Sequence, residues 1–256
     1  MGSTGIESGK CAGSNSGIWP AGLNMLPCRK RLVLAALAVF AGPGVAFAAE
    51  PEHPLPSLVV ATSQPTANPR ANFAHEPASA EARQIADWAL ASGDNHGMPF
   101  MIVDKANARM FLFTARGTLL GAAPVLLGLG RGDDTPPGIG DRPLASIPPA
   151  DRITPAGRFE ATLGVNLAGQ DILWVDYDAA LSVHRATDPK HSLTAHGRLA
   201  RLASVTVADN RISHGCVNVS VTFFEQTLRP AFEDTSGVIY ILPETRSLQE
   251  QFPMAA

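Results

Sequence analysis

One short stretch concentrates groups that can do chemistry: Arg211-Ile212-Ser213-His214-Gly215-Cys216-Val217-Asn218-Val219. A thiol attacks as thiolate, so it needs a base nearby and surroundings that favour negative charge. Gly215 permits a sharp turn and a close backbone approach. Amide N–H groups at such a turn can face a developing oxyanion. Ser213 and His214 add polar groups beside the sulfur. After it, Val219 to Phe232 has helical spacing, with Phe223, Phe224, Leu228 and Phe232 on one buried stripe. This spacing places the thiol near a helix N-terminus, whose dipole favours the thiolate. Acyl transfer through a thioester is the chemistry such a constellation suits.

Candidate bases all lie upstream. The seven histidines are at 53, 75, 96, 184, 191, 196 and 214, and none follows Cys216. That order excludes cysteine peptidases whose cysteine comes first. A zinc site built from His184, His191, His196 and Cys216 matches no common ligand spacing, and neither H-E-x-x-H nor paired C-x-x-C occurs, so no metal is expected. With a formal net charge of −3 and no basic stripe, a nucleic-acid partner has no electrostatic support. Asp176 and Asp178 around Tyr177 read as a solvated turn, and Trp174 as core.

The elements that must hold these groups follow from pattern. Arg29-Lys30-Arg31, the apolar run Leu32 to Ala41 and the small-x-small site Ala46-Phe47-Ala48 read as an export signal over 1–48, with Met25 a candidate start and an uncleaved anchor the competing reading. Cleavage leaves Cys216 as the one cysteine, so no internal disulfide is possible, and no integral membrane segment remains. Residues 49–96 read as a Pro/Ala-rich tether followed by one helix, Ala80 to Ser92, capped by Ser79. From Pro99 the pattern turns to β. Phe100–Val103 and Met110–Phe113 form a hairpin, Thr118 to Leu127 continues it, and strands are expected at 158–163, 172–175, 180–184 and 238–242. The Gly/Pro/Asp-rich stretch 128–155 reads as an ordered surface loop beside the site. Leu199 to Ala203 reads as a short helix. The catalytic domain is expected over 97–245, with a tail at 246–256.

Ser213-His214-Gly215-Cys216 followed by Val217-Asn218 resembles the signature of the L,D-transpeptidase (YkuD) family, S-x-G-C-[IV]-[RN]. Thr154-Pro155-Ala156-Gly157-Arg158-Phe159 resembles that family's T-P-x-G-x-F stretch, and Ile102-Val103-Asp104 with Met110–Phe113 resembles its opening hairpin. The resemblance covers roughly residues 99–243. It implies a mainly β fold, an L,D-transpeptidase-like β-sandwich or barrel with one or two packed helices. It implies a peptidoglycan L,D-transpeptidase in the periplasm or cell envelope, a monomer without cofactor, acting through a Cys216 thioester on tetrapeptide stems. The alternatives are an L,D-carboxypeptidase or endopeptidase of the same fold, and a catalytically silent wall-binding module. A sortase-like enzyme fits less well, because its cysteine follows Thr in a strand.

The resemblance also implies an upstream histidine base at a strand end, usually followed by Gly. His184 ends the run Ala180–Val183 but precedes Arg185. His196 precedes Gly197 but sits in a polar stretch. A base must be held rigidly, and a strand end does that; His184 is therefore assigned, with His196 as the alternative. Ser213, His214 and Gly215 are assigned to shaping the site and its oxyanion pocket. Asn218 stands where the commoner pattern has Arg. An amide cannot clamp a carboxylate as a guanidinium does, so substrate positioning through Asn218 is expected to differ.

Overall fold

The computed structural model describes residues 69–188 and 197–255. The expected export signal, most of the tether, His191 and His196 lie outside the described residues.

The first element is helix α1, Ala80–Ser92. Ser79 caps it by accepting from the Ala82 amide at 3.0 Å, and Gly93, left-handed at φ 71°, ends it. Its buried face is Ala82, Ile85, Ala86 and Ala89. Strands β1 (Phe100–Asp104), β2 (Arg109–Phe113) and β3 (Leu119–Pro124) follow as antiparallel neighbours, then the short β4 (Leu127–Gly128). Three 3₁₀ turns occupy the loop to β5 (Gly157–Val165). Next come β6 (Asp171–Asp176), β7 (Leu181–Arg185), α2 (Arg198–Leu202), β8 (Arg211–Ser213) and β9 (Val217–Val219). Helical turns α3 (Val221–Phe223) and α4 (Arg229–Phe232) precede β10 (Gly237–Ile241), and α5 (Leu248–Gln251) closes the chain.

Eight strands form one sheet in the order β3-β2-β1-β10-β5-β6-β7-β9. Just beyond β3, Leu126 exchanges two backbone hydrogen bonds with Asn218 of β9, at 2.8 and 2.9 Å. The chain leaving one edge thereby meets the other edge, and the sheet nearly closes. The fold is mainly β, as expected. Both faces of its centre are covered. Met101, Val103, Ile239 and Ile241 point into one core with Phe224, Leu228 and Phe232, while Phe100, Ile102, Val238 and Tyr240 point into another with α1, Phe73 and Phe252. That double burial explains why Phe100–Val103 of β1 and Val238–Ile241 of β10 are unbroken apolar runs. Among the described residues no helix is long and apolar enough to cross a membrane.

Two local expectations change. Val217–Val219 is a strand, and the helix begins only at Val221, capped by the Ser220 hydroxyl. The β-branched Val217 and Val219 flank Asn218 in a period of two, and pairing with β7 and Leu126 outweighs helical spacing. The helix itself widens to a π turn over Phe224–Leu228. Pro230 has no N–H with which to continue the α ladder.

A buried ionic knot joins the long loop to the rest. Lys105 is fully buried, and its three ammonium protons match three acceptors: Gly132 O at 2.6 Å, Asp133 Oδ1 at 2.8 Å and Thr154 O at 2.9 Å. Asp133 also accepts from the Glu244, Thr245 and Arg246 amides and the Thr245 hydroxyl. Glu244 in turn binds Arg211 of β8 through both carboxylate oxygens. Burial pushes the Asp133 carboxyl up, but Lys105, Thr245 and the backbone amides outweigh it and hold the group well below the usual carboxylate range.

Replacing Lys105 by Met strands a buried carboxylate and should cost about 3–5 kcal/mol, read by urea unfolding. Asp133 contributes its full stability above its unfolded-state pKa of about 3.9, and that contribution is lost as pH falls toward its depressed folded-state value. The stability of the chain should therefore drop below about pH 4, and this acid limb should be missing in D133N.

Candidate active site

Parallel pairing of β7 with β9 builds the site. Val183 lies opposite Val217 and His184 opposite Asn218. Alternation along the strands sends Val183 and Val217 into the core and places Ser182, His184, Cys216 and Asn218 together on the other face. Cys216 is half-buried. Its Sγ lies 3.4 Å from the Ala180 carbonyl oxygen, and the Ser182 hydroxyl reaches it at 3.5 Å.

The turn bearing the sulfur is held on both sides. Inside it, the Ser213 hydroxyl donates to Cys216 O at 2.6 Å and accepts from the Gly215 amide at 3.1 Å. Outside it, the buried Thr154 hydroxyl donates to Gly215 O at 2.7 Å. Gly215 sits at φ 131°, and a Cβ there would lie 2.8 Å from Ile153 O, so glycine is required on both counts.

His184 Nδ1 lies 3.1 Å from the Arg185 carbonyl, which only accepts; Nδ1 therefore carries the proton and Nε2 the lone pair. The Asn218 amide nitrogen donates to Nε2 at 2.9 Å. Asn218 is fully buried, and its Oδ1 has no hydrogen-bond partner among the described residues. Arg185, which follows His184, is tied by its guanidinium to Glu225 and Asp171 and stacks 4.0 Å from the Phe224 ring centroid.

These groups line one cavity of about 260 Å³. Cys216, His184, Asn218, Ser213 and His214 line it, together with Asp171, Ile172 and, from the long loop, Ile139, Arg142 and Leu144. The loop is pressed onto the turn that carries Ala180: a Cβ at Gly140 would lie 2.4 Å from Asp178 O. Asp176 caps that turn through the Asp178 and Ala179 amides, the solvated turn read from the sequence. His214 is held below the ordinary histidine range, first by burial and then by the charges of Arg152 and Arg198.

The structure thus brings Cys216, His184, Ser213, His214, Gly215 and Asn218 to one place; His196 lies outside the described residues. β9 intervenes between the thiol and α3, so the helix expected to start at the thiol begins only at Val221. Sequence reasoning missed Ser182, whose place two residues before His184 on one strand was the available signal. It also missed Arg198, for which there was none. Among the described residues no group of acidic, histidine and cysteine side chains could hold a metal.

No family model and no curated protein matches this chain. Solved structures do resemble it in part. An Enterococcus faecium L,D-transpeptidase mutant is 15% identical over 57% of this chain and 50% of its own, with a TM-score of 0.31. Mycobacterium tuberculosis L,D-transpeptidase 1 is 14% identical over 56% and 61%, at 0.28. The Campylobacter jejuni helical cell shape determining protein Pgp2 is 13% identical over 70% and 62%, at 0.38. The chain spans between half and about three fifths of these two L,D-transpeptidase chains. Likeness at this level assigns no residue a role.

His214 should be neutral at pH 7. Its imidazole resonances should titrate below the free value of about 6.5, and R198A should move that titration upward by removing one of the two positive charges. An unshifted titration in NMR would show that burial and these two arginines do not act on His214 as described.

Proposed function

We propose that this chain is a cysteine acyltransferase of cell-wall peptides, an L,D-transpeptidase acting in the envelope after export, with residues 97–245 as its catalytic domain. The observation that carries the reading is a half-buried thiol lining a cavity that an imidazole lines as well. It supports the motif resemblance of residues 213–218.

The Cys216 proton passes to an imidazole. The thiolate attacks the carbonyl carbon of an L-centre in a tetrapeptide stem, and the carbonyl oxygen becomes an oxyanion held by backbone N–H groups of the turn. Collapse expels the terminal D-residue as an amine, which takes the proton from the imidazolium and leaves a thioester. An amine of a second stem then attacks the thioester, releases the thiol and forms the cross-link; water in its place gives a tripeptide. Ser213, His214 and Gly215 shape the turn. Asn218 acts on substrate placement through the His184 imidazole that its amide nitrogen touches.

His184 is the base in this reading, since its proton on Arg185 O leaves Nε2 as the basic nitrogen. Nε2 already accepts from Asn218, so the Asn218 amide must release it before it can take the thiol proton. His196 is the alternative, and single substitutions separate the two.

Incubation of the protein with disaccharide tetrapeptides, read by mass, gives a dimer for transfer, a tripeptide for hydrolysis and no product for a silent binding module. C216S should abolish turnover and prevent a carbapenem adduct on residue 216. Replacing the true base by Gln should lower turnover by roughly 10²- to 10⁴-fold, whereas the other histidine's Gln variant should keep most of it. Full activity in C216S would end the proposal.

A further inference from the structure

We infer that Thr154 is a positioning residue for the nucleophile turn, aiming the Cys216 amide by fixing the Gly215 carbonyl; this rests on the functional reading above. Three observations carry it. Thr154 is fully buried, and its hydroxyl hydrogen is directed at Gly215 O at 2.7 Å. The hydroxyl's orientation is itself set, because its oxygen accepts from the Gly128 amide at 2.8 Å. The residue's backbone is held from a third side, where Lys105 Nζ donates to Thr154 O at 2.9 Å.

In a trans peptide the carbonyl and the following N–H point in opposite directions, and no peptide bond in the described chain is cis. Fixing Gly215 C=O toward Thr154 therefore fixes the Cys216 N–H away from it. Ser213 cannot do this alone, since its hydroxyl donates to the carbonyl on the other side of Cys216. Left to φ 131° at a glycine, the Gly215–Cys216 peptide has freedom to rotate. Thr154 removes that freedom. In the acylation step the Cys216 N–H is then already directed at the carbonyl oxygen that gains negative charge as the C–S bond forms. Preorganised donors of this kind act on the transition state more than on substrate binding.

T154V keeps shape and removes the hydroxyl. It should lower kcat for tetrapeptide acylation by roughly ten- to a hundredfold with KM unchanged, and T154S should restore it. Alkylation of Cys216 by iodoacetamide forms no oxyanion and should proceed at the wild-type rate in all three proteins. If T154V does not fold, T154A leaves room for a water beside the Gly128 amide and carries the same comparison with T154S. Wild-type acylation in T154V or T154A overturns the inference. So does equal slowing of acylation and alkylation, which would put Thr154's effect on the sulfur. If the wild-type protein is alkylated but never acylated, the functional reading fails and takes this inference with it.

Discussion

A buried ammonium group must place every one of its protons. Lys105 does so on two backbone carbonyls and one carboxylate, all supplied by the loop between β4 and β5. The loop has no regular structure longer than a 3₁₀ turn, so it cannot order itself through its own ladder. Asp133 passes the constraint on to the chain after β10, and Glu244 passes it to Arg211 at the start of the strand that leads to the sulfur. Removing the charge at the centre leaves its carboxylate partner without compensation in a dry interior, the costly way to break such a pair.

The active face is built on a different principle. β7 and β9 are parallel neighbours, so side chains two residues apart on each strand form a square of Ser182, His184, Cys216 and Asn218. Their alternating partners, Val183 and Val217, are sealed in the core. Rotating either strand would cost burial on one side as well as geometry on the other. Asn218 has a double duty here, since its backbone closes the sheet onto Leu126 while its side chain touches the imidazole.

How much of this was legible depends on how local the cause is. The α1 helix and its Ser79 cap, the β1–β2 hairpin and the 211–219 motif are set by residues adjacent in the chain, and each is readable from pattern alone. Val219, which the spacing puts at the start of the helix, belongs instead to a three-residue strand too short to show a period of its own; partners far away in the chain, Leu126 and Val183, decide it. The role of Lys105 was invisible for a related reason. A lone Lys in a turn-like Lys105-Ala106-Asn107-Ala108 stretch reads as solvated, and only the fold brings Asp133 and Thr154 around it. His184 was picked out by its place at a strand end. Its link to Asn218 could not be, because the register between two parallel strands is not written in either one.

The pairing at the middle of the sheet has a consequence for how the chain reaches its native state. β1 and β10, which lie side by side and parallel, come from near the two ends of the described chain. The central seam therefore cannot form until the last strand is available, and the entropy of closing that very long loop is spent before the seam's burial repays it. Until then β1 is paired on one edge alone, with β2, and its other apolar edge stays open. A polypeptide with this wiring is held short of its native sheet by its own topology during synthesis, with the first hairpin waiting for β10 to arrive.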